Sequence, residues 1–155
     1  MNQQRRDVLR LGTVLGLAVA AGLLRPEQAW AAQAEWNKQA FDGKSVEDVI
    51  KALGGQEAAE SDQITLVAPD IAENGAVVPV GATSKLPKTE QISILIPKNP
   101  NALAARFDLP EGTEPEIATR VKMGETSDVY ALVKADGKFY MAHKEIKVTL
   151  GGCGG

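Results

Sequence analysis

The chain has 155 residues but only one cysteine, Cys153, and one histidine, His143. A single thiol excludes an internal disulfide, and a single imidazole excludes a histidine-rich metal site. One of each is also too few to close a zinc site, so no metal or other cofactor is expected. No phosphate-binding P-loop, no G-x-G-x-x-G dinucleotide fingerprint and no internal repeat is present, which removes those nucleotide chemistries and the solenoid architectures. Basic residues are neither in excess nor clustered: 17 Lys and Arg stand against 20 Asp and Glu, a net charge of −3. A nucleic-acid footprint needs the opposite, so no nucleic-acid partner is expected.

Long apolar runs are scarce as well. One extends from Leu11 to Leu24, too short to span a membrane comfortably. Arg5-Arg6-Asp7-Val8-Leu9-Arg10 precedes it and Ala29-Trp30-Ala31 follows. A charged opening, an apolar centre and an A-x-A cleavage site make an export signal. The paired arginines, with Leu9 three residues beyond Arg6, fit the twin-arginine pattern, whose cargo crosses the membrane folded. Residues 1–31 are therefore expected to be a signal peptide, the destination periplasmic, and no stable membrane anchor to remain. Removing them takes four of the 17 basic and two of the 20 acidic groups, leaving 13 and 18 on Ala32–Gly155, a net charge near −5. That length suits one domain with a real core. Exported proteins normally pair their cysteines, so an unpaired one needs a task or a cap.

The body, residues 32–150, starts with a helical signal. Ser45 can cap a helix, Glu47 and Asp48 suit its first turn, and Val46, Val49, Ile50 and Leu53 repeat at helical spacing. Gly54-Gly55 ends it. Trp36 and Phe41 are expected to seat this segment on the body. From Gln63 onward the pattern is β. Ile64 and Leu66 alternate with Thr65 before Pro69; Ala76 to Val80 is interrupted by Pro79, which predicts an edge strand or a bulge. Ile92, Ile94 and Ile96 share a face before Pro97. Leu103 to Leu109, Ile117 to Met123 and Val129 to Lys134 follow, then a tight turn at Asp136-Gly137 and a long last strand from Lys138 to Leu150. Short strands with frequent turn signals predict an all-β, antiparallel sandwich with one N-terminal helix. Met123 and Met141 read as core filler. Glu57, Glu60, Asp62, Glu111, Glu114 and Glu116 read as solvated surface, and His143 as an ordinary strand residue.

The last strand runs into Gly151-Gly152-Cys153-Gly154-Gly155. A cysteine between four glycines has nothing to pack on and the most permissive backbone available. The reading is a sulfur on a flexible arm anchored by a rigid strand; a frayed terminus with an incidental cysteine is the alternative. Fully extended, five residues span at most roughly 17 Å, and as a flexible coil about 12 Å. That suffices to insert a thiol into another protein's pocket. No Lys, Arg or His flanks Cys153, and a terminal carboxylate two residues on disfavours the thiolate. Activation must then come from whatever pocket receives it, which suits a carrier and argues against an autonomous enzyme. A Cys-His nucleophilic pair with His143 would need the two groups held together, which glycine linkers oppose.

This tail resembles that of the SoxY family, the sulfur-carrier subunits of bacterial thiosulfate-oxidising systems. A second stretch agrees: Ala68-Pro69-Asp70-Ile71-Ala72-Glu73-Asn74-Gly75-Ala76-Val77-Val78-Pro79-Val80. The resemblance implies an immunoglobulin-like sandwich and a heterodimer with a SoxZ-like companion. It also implies sulfur intermediates held covalently on Cys153, with Gly151, Gly152, Gly154 and Gly155 as the arm. The implied partners are a c-type cytochrome that loads thiosulfate, a hydrolase that releases sulfate and, in some organisms, a sulfane dehydrogenase. The segment Ala72-Glu73-Asn74-Gly75 reads as a structural turn, since Asn-Gly favours positive φ. Two other classes compete. A ubiquitin-like thiocarboxylate carrier also ends in Gly-Gly but is activated in the cytoplasm, against the export signal. An exported adhesive sandwich would use its cysteine only to cross-link subunits.

Overall fold

Ser45 caps a helix as its hydroxyl dictates. In the computed structural model, which describes residues 37–150, Ser45 Oγ accepts a hydrogen bond from the Asp48 amide and α2 (Val46–Ala52) follows. A shorter helix, α1 (Lys38–Asp42), precedes it, capped by Asn37, whose Oδ1 accepts from the Ala40 amide. Gly54 ends the helical segment with φ +89°, and a Cβ on Gly55 would lie 2.6 Å from the Phe139 ring. The two glycines thus do different work: one reverses the chain, the other lets it lie against the sheet. The described residues fall within one of the chain's two units, Asn37–Gly155.

Among the described residues nine strands follow: β1 (Ala58–Glu60), β2 (Ile64–Val67), β3 (Ile71–Ala72), β4 (Val78–Ser84), β5 (Thr89–Leu95), β6 (Leu103–Asp108), β7 (Glu116–Val121), β8 (Ser127–Ala135) and β9 (Lys138–Val148). They form two sheets. The larger has the order β1-β9-β8-β5-β6, with β3 also on β9; the smaller is β2-β4-β7. The mostly-β sandwich predicted from sequence is the observed fold. The β8–β9 hairpin turns at Asp136 and Gly137, both with positive φ, the geometry that Asp-Gly favours.

Three features depart from the sequence pattern. Two pairings are parallel, β1 with β9 and β3 with β9. The chain lays β1 on the edge of β9, crosses to the other sheet as β2, and returns further along the same edge as β3. Travelling one way along that edge makes both contacts parallel. Secondly, Pro79 sits in a central strand, not at an edge. β2 stops at Val67 opposite Gly81, so no neighbour on that side asks for an amide at position 79. Thirdly, the rhythm of β9 changes phase near His143, because the strand serves two cores. Tyr140, Ala142, Ile146 and Val148 face the core between the sheets. Phe139 and Met141 instead face the outer surface, where Val49, Ile50, Phe41 and Leu53 of the helical segment cover them. Met123 fills the inter-sheet core and Met141 the helical one. Trp36 lies outside the described residues.

Ile92, Ile94, Val129, Ala131 and Val133 of the large sheet meet Val78, Val80, Ala82 and Ile117 of the small one. Because Ile94 is fully buried there, Ile94→Ala should cost about 2–5 kcal/mol. Chemical denaturation checks this: the midpoint should fall with the slope unchanged, and an unshifted midpoint would contradict the packing.

Candidate functional site

The expected arm begins after Leu150, so the candidate site is built from what holds that point. β9 pairs with β8 from Lys138 opposite Ala135 to Ile146 opposite Ser127. On its other edge β3 pairs Ile71 with Lys147 and Ala72 with Val148. Hydrogen bonding then continues past the strand. The Thr149 amide donates to Ala72 O at 3.1 Å, the Thr149 hydroxyl to Glu73 O at 3.2 Å, and the Gly75 amide to Leu150 O at 2.7 Å. From inside, the Val148 amide donates to Thr126 Oγ1 at 2.9 Å. The chain is therefore tied down to its last described residue. Cys153 and the glycines 151, 152, 154 and 155 lie outside the described residues.

The segment that ties the root is the turn expected at Ala72-Glu73-Asn74-Gly75. Its mechanism differs from the expectation, for neither Asn74 nor Gly75 has a positive φ; among the described residues only Gly54, Lys88, Gly112, Asp136 and Gly137 do. Asn74 instead makes a side-chain turn: its Oδ1 accepts from the Ala76 amide at 2.9 Å and its carbonyl from the Val77 amide at 3.3 Å. Glycine 75 is buried. This role was invisible in the sequence, since its partners are backbone groups far along the chain.

An ion pair reinforces the tie. Lys144 Nζ lies 2.8 Å from Asp70 Oδ1 and donates to Ala68 O at 2.7 Å. The hydrogen bond and the positive charge of Lys144 hold the Asp70 carboxyl below its ordinary pKa. His143 lies elsewhere on β9, exposed, its ring stacked on Tyr130 at 5.2 Å and its Nδ1 3.3 Å from Glu60 Oε1. Burial, then the charges of Asp128, Glu47 and Glu60, push the Tyr130 hydroxyl pKa up. From His143 to Leu150 the chain runs seven residues, about 23 Å along a strand. The Cys153 half of a Cys-His pair lies outside the described residues. Glu57, Glu60, Asp62, Glu111, Glu114 and Glu116 are all exposed, as expected.

Among the described residues nothing packs over the outer face of the small sheet at Val67. Val67, Pro69, Pro79, Gly81, Ala118 and Arg120 line an open groove of about 590 Å³ there, and Val67 is 63% exposed. Outward positions of adjacent strands create it, so only the register reveals it.

A model of the SoxY family, described as sulfur oxidation protein SoxY, matches residues 50–153. The chain is similar to the sulfur carrier protein SoxY from Chlorobium limicola f. thiosulfatophilum, with 39% identity and a TM-score of 0.62, over 68% of this chain and 97% of that one. It is also similar to a superoxide reductase (neelaredoxin) from Ignicoccus hospitalis, with 17% identity and a TM-score of 0.52, over 59% of this chain and 94% of that one. At that identity the second likeness concerns the fold alone. No curated protein sequence matches the chain.

The Asp70–Lys144 pair gives a pH prediction. A depressed folded-state pKa means that the pair acts above the ordinary carboxylate range and is lost as pH falls through the Asp70 value. In Lys144→Met, the Asp70 titration followed by carboxyl NMR should move up toward the ordinary carboxylate range. An unmoved titration would remove Lys144 as the cause.

Proposed function

The chain belongs to the SoxY family of sulfur-oxidation proteins, and on that premise we propose that it is a periplasmic carrier holding thiosulfate-derived sulfur covalently on Cys153. What supports this most is that the family match runs to residue 153, the cysteine itself. The twin-arginine pattern of residues 1–31 supports export.

The proposed cycle uses this chain's sulfur as a handle. The Cys153 thiolate and the outer sulfur of thiosulfate join as an S–S bond, and two electrons pass to a haem-bearing c-type cytochrome. The product is a cysteine S-thiosulfonate. A hydrolase then adds water across the bond to the terminal sulfonate, releasing sulfate and two protons and leaving a persulfide anion on Cys153. Where a sulfane dehydrogenase exists, it oxidises that remaining sulfur. The carrier itself supplies retention: a covalent link keeps a small anion from diffusing away between steps. It is a substrate-bearing subunit, not a catalyst, and a SoxZ-like companion completes it as a heterodimer.

The body's geometry suits this work. Strand β9 and the turn at 72–77 hold the chain as far as Leu150, so arm movements need unfold nothing. Glycines at 151, 152, 154 and 155 have no side chains to obstruct a narrow active-site mouth, so one arm can enter several enzymes.

Cys153→Ser should abolish cargo while leaving the fold and companion binding intact. Intact mass spectrometry of protein from the native host, before and after reductant, reads this directly. Adducts of sulfur, or sulfur plus sulfonate, should vanish on reduction and be absent from the variant. A stable disulfide-linked dimer without such adducts would mean a merely cross-linking cysteine.

Replacing Gly152 and Gly154 by Phe should leave the thiol reactive toward small disulfides but slow partner turnover by about 100-fold, the cost of misplacing a reacting group. Unchanged turnover would refute the threading argument.

A further inference from the structure

Beyond the strand ladder, the root of the arm is laced to a distant turn. Asn99 lies between Pro97 and Pro100 in the β5–β6 connection, its amide donating to the carbonyl of fully buried Ile96 at 3.1 Å. Its carboxamide uses both ends: Nδ2 donates to Lys122 O at 2.7 Å, and Oδ1 accepts from the Gly124 amide at 3.1 Å. The Lys122 carbonyl and the Met123 amide are one peptide group, and that amide donates to Gly75 O at 2.7 Å. The Gly75 carbonyl and the Ala76 amide are the next peptide group, and that amide donates to Asn74 Oδ1 at 2.9 Å. Two asparagine side chains thus bracket a head-to-tail series of two peptide groups. In such a series each bond polarises the next. Gly75, at its centre, also donates to Leu150 O at 2.7 Å, which is the carbonyl of the peptide bond opening the arm.

We propose that Asn99 and Asn74 are positioning residues of the carrier: they hold Gly75, which holds the first peptide group of the arm. The inference rests on the carrier reading of Cys153. Its physical consequence concerns effective concentration. With Leu150 fixed, Cys153 is the third residue beyond it in the sequence. If the root frays by three more, the free length doubles. The thiol's effective concentration at a docked partner then falls with the −3/2 power of length, about threefold.

The two asparagines differ in a way that makes the test specific. Asn74 contributes only an acceptor oxygen from its side chain, which Asp reproduces. Asn99 both donates and accepts, which Asp cannot do. In the full chain, amide hydrogen exchange at Gly75 and Met123 should accelerate about tenfold, the effect of one net hydrogen bond, in Asn99→Ala, Asn99→Asp and Asn74→Ala. Asn74→Asp should keep wild-type exchange. With cargo-loaded carrier and the host's own sulfate-releasing hydrolase, the first three variants should lower kcat about threefold with KM unchanged, and Asn74→Asp should restore it. Unchanged exchange in Asn99→Ala would overturn the relay. Faster exchange with unaltered kcat per folded molecule would reduce both residues to structural roles and overturn the inference. Absence of sulfur adducts on wild-type Cys153, read separately by intact mass, would overturn the carrier reading and the inference with it.

Discussion

Strand β9 runs eleven residues with β8 along one edge and with β1 and β3 along the other, and the hold on the chain as far as Leu150 depends on this two-sided pairing. A strand paired on one edge only frays at its end, where few buried contacts resist opening. Here the end is closed by β3 and by the turn after it, while Ile146 and Val148 engage the inter-sheet core. The Asp70–Lys144 pair adds an electrostatic tie at the same place. On the proposed carrier reading, a fixed Leu150 and the glycines that follow it in the sequence would work as two halves of one device.

The sandwich itself is shared with a protein of different chemistry, the superoxide reductase to which the chain is similar in fold. Two packed sheets by themselves therefore do not set the chemistry. The large sheet is covered on its outer face by the helical segment, and its inner face packs on the small sheet. The body is thereby buried on both faces of β9, which is why its sequence shows no single alternating phase.

Much of this was legible beforehand where local chemistry decides. The Ser45 cap, the Asp136-Gly137 turn, the alternation of Ile92 and Ile94, and the exposed carboxylates all follow from side chains acting on their own neighbourhood. β1 and β3 were not legible, because strands of three and two residues carry no period and exist only by pairing with β9. Pro79 misled for a related reason: whether a missing amide matters depends on how far the neighbouring strand extends. Asn99 was not singled out in the sequence, since its partners at 122 and 124 are joined to it only by the fold.

By itself the sequence determined the cysteine's sequence setting, the glycines around it and the β character, because each depends on residue type and near neighbours. Only the tertiary structure decided how the arm's root is held. That grip consists mainly of backbone groups at 72–75, 122–124 and 148–150, with the side chains of Asn74, Asn99, Thr126 and Thr149 set against them, and backbone groups are chemically alike in every residue. Nothing but their placement in space can pair them.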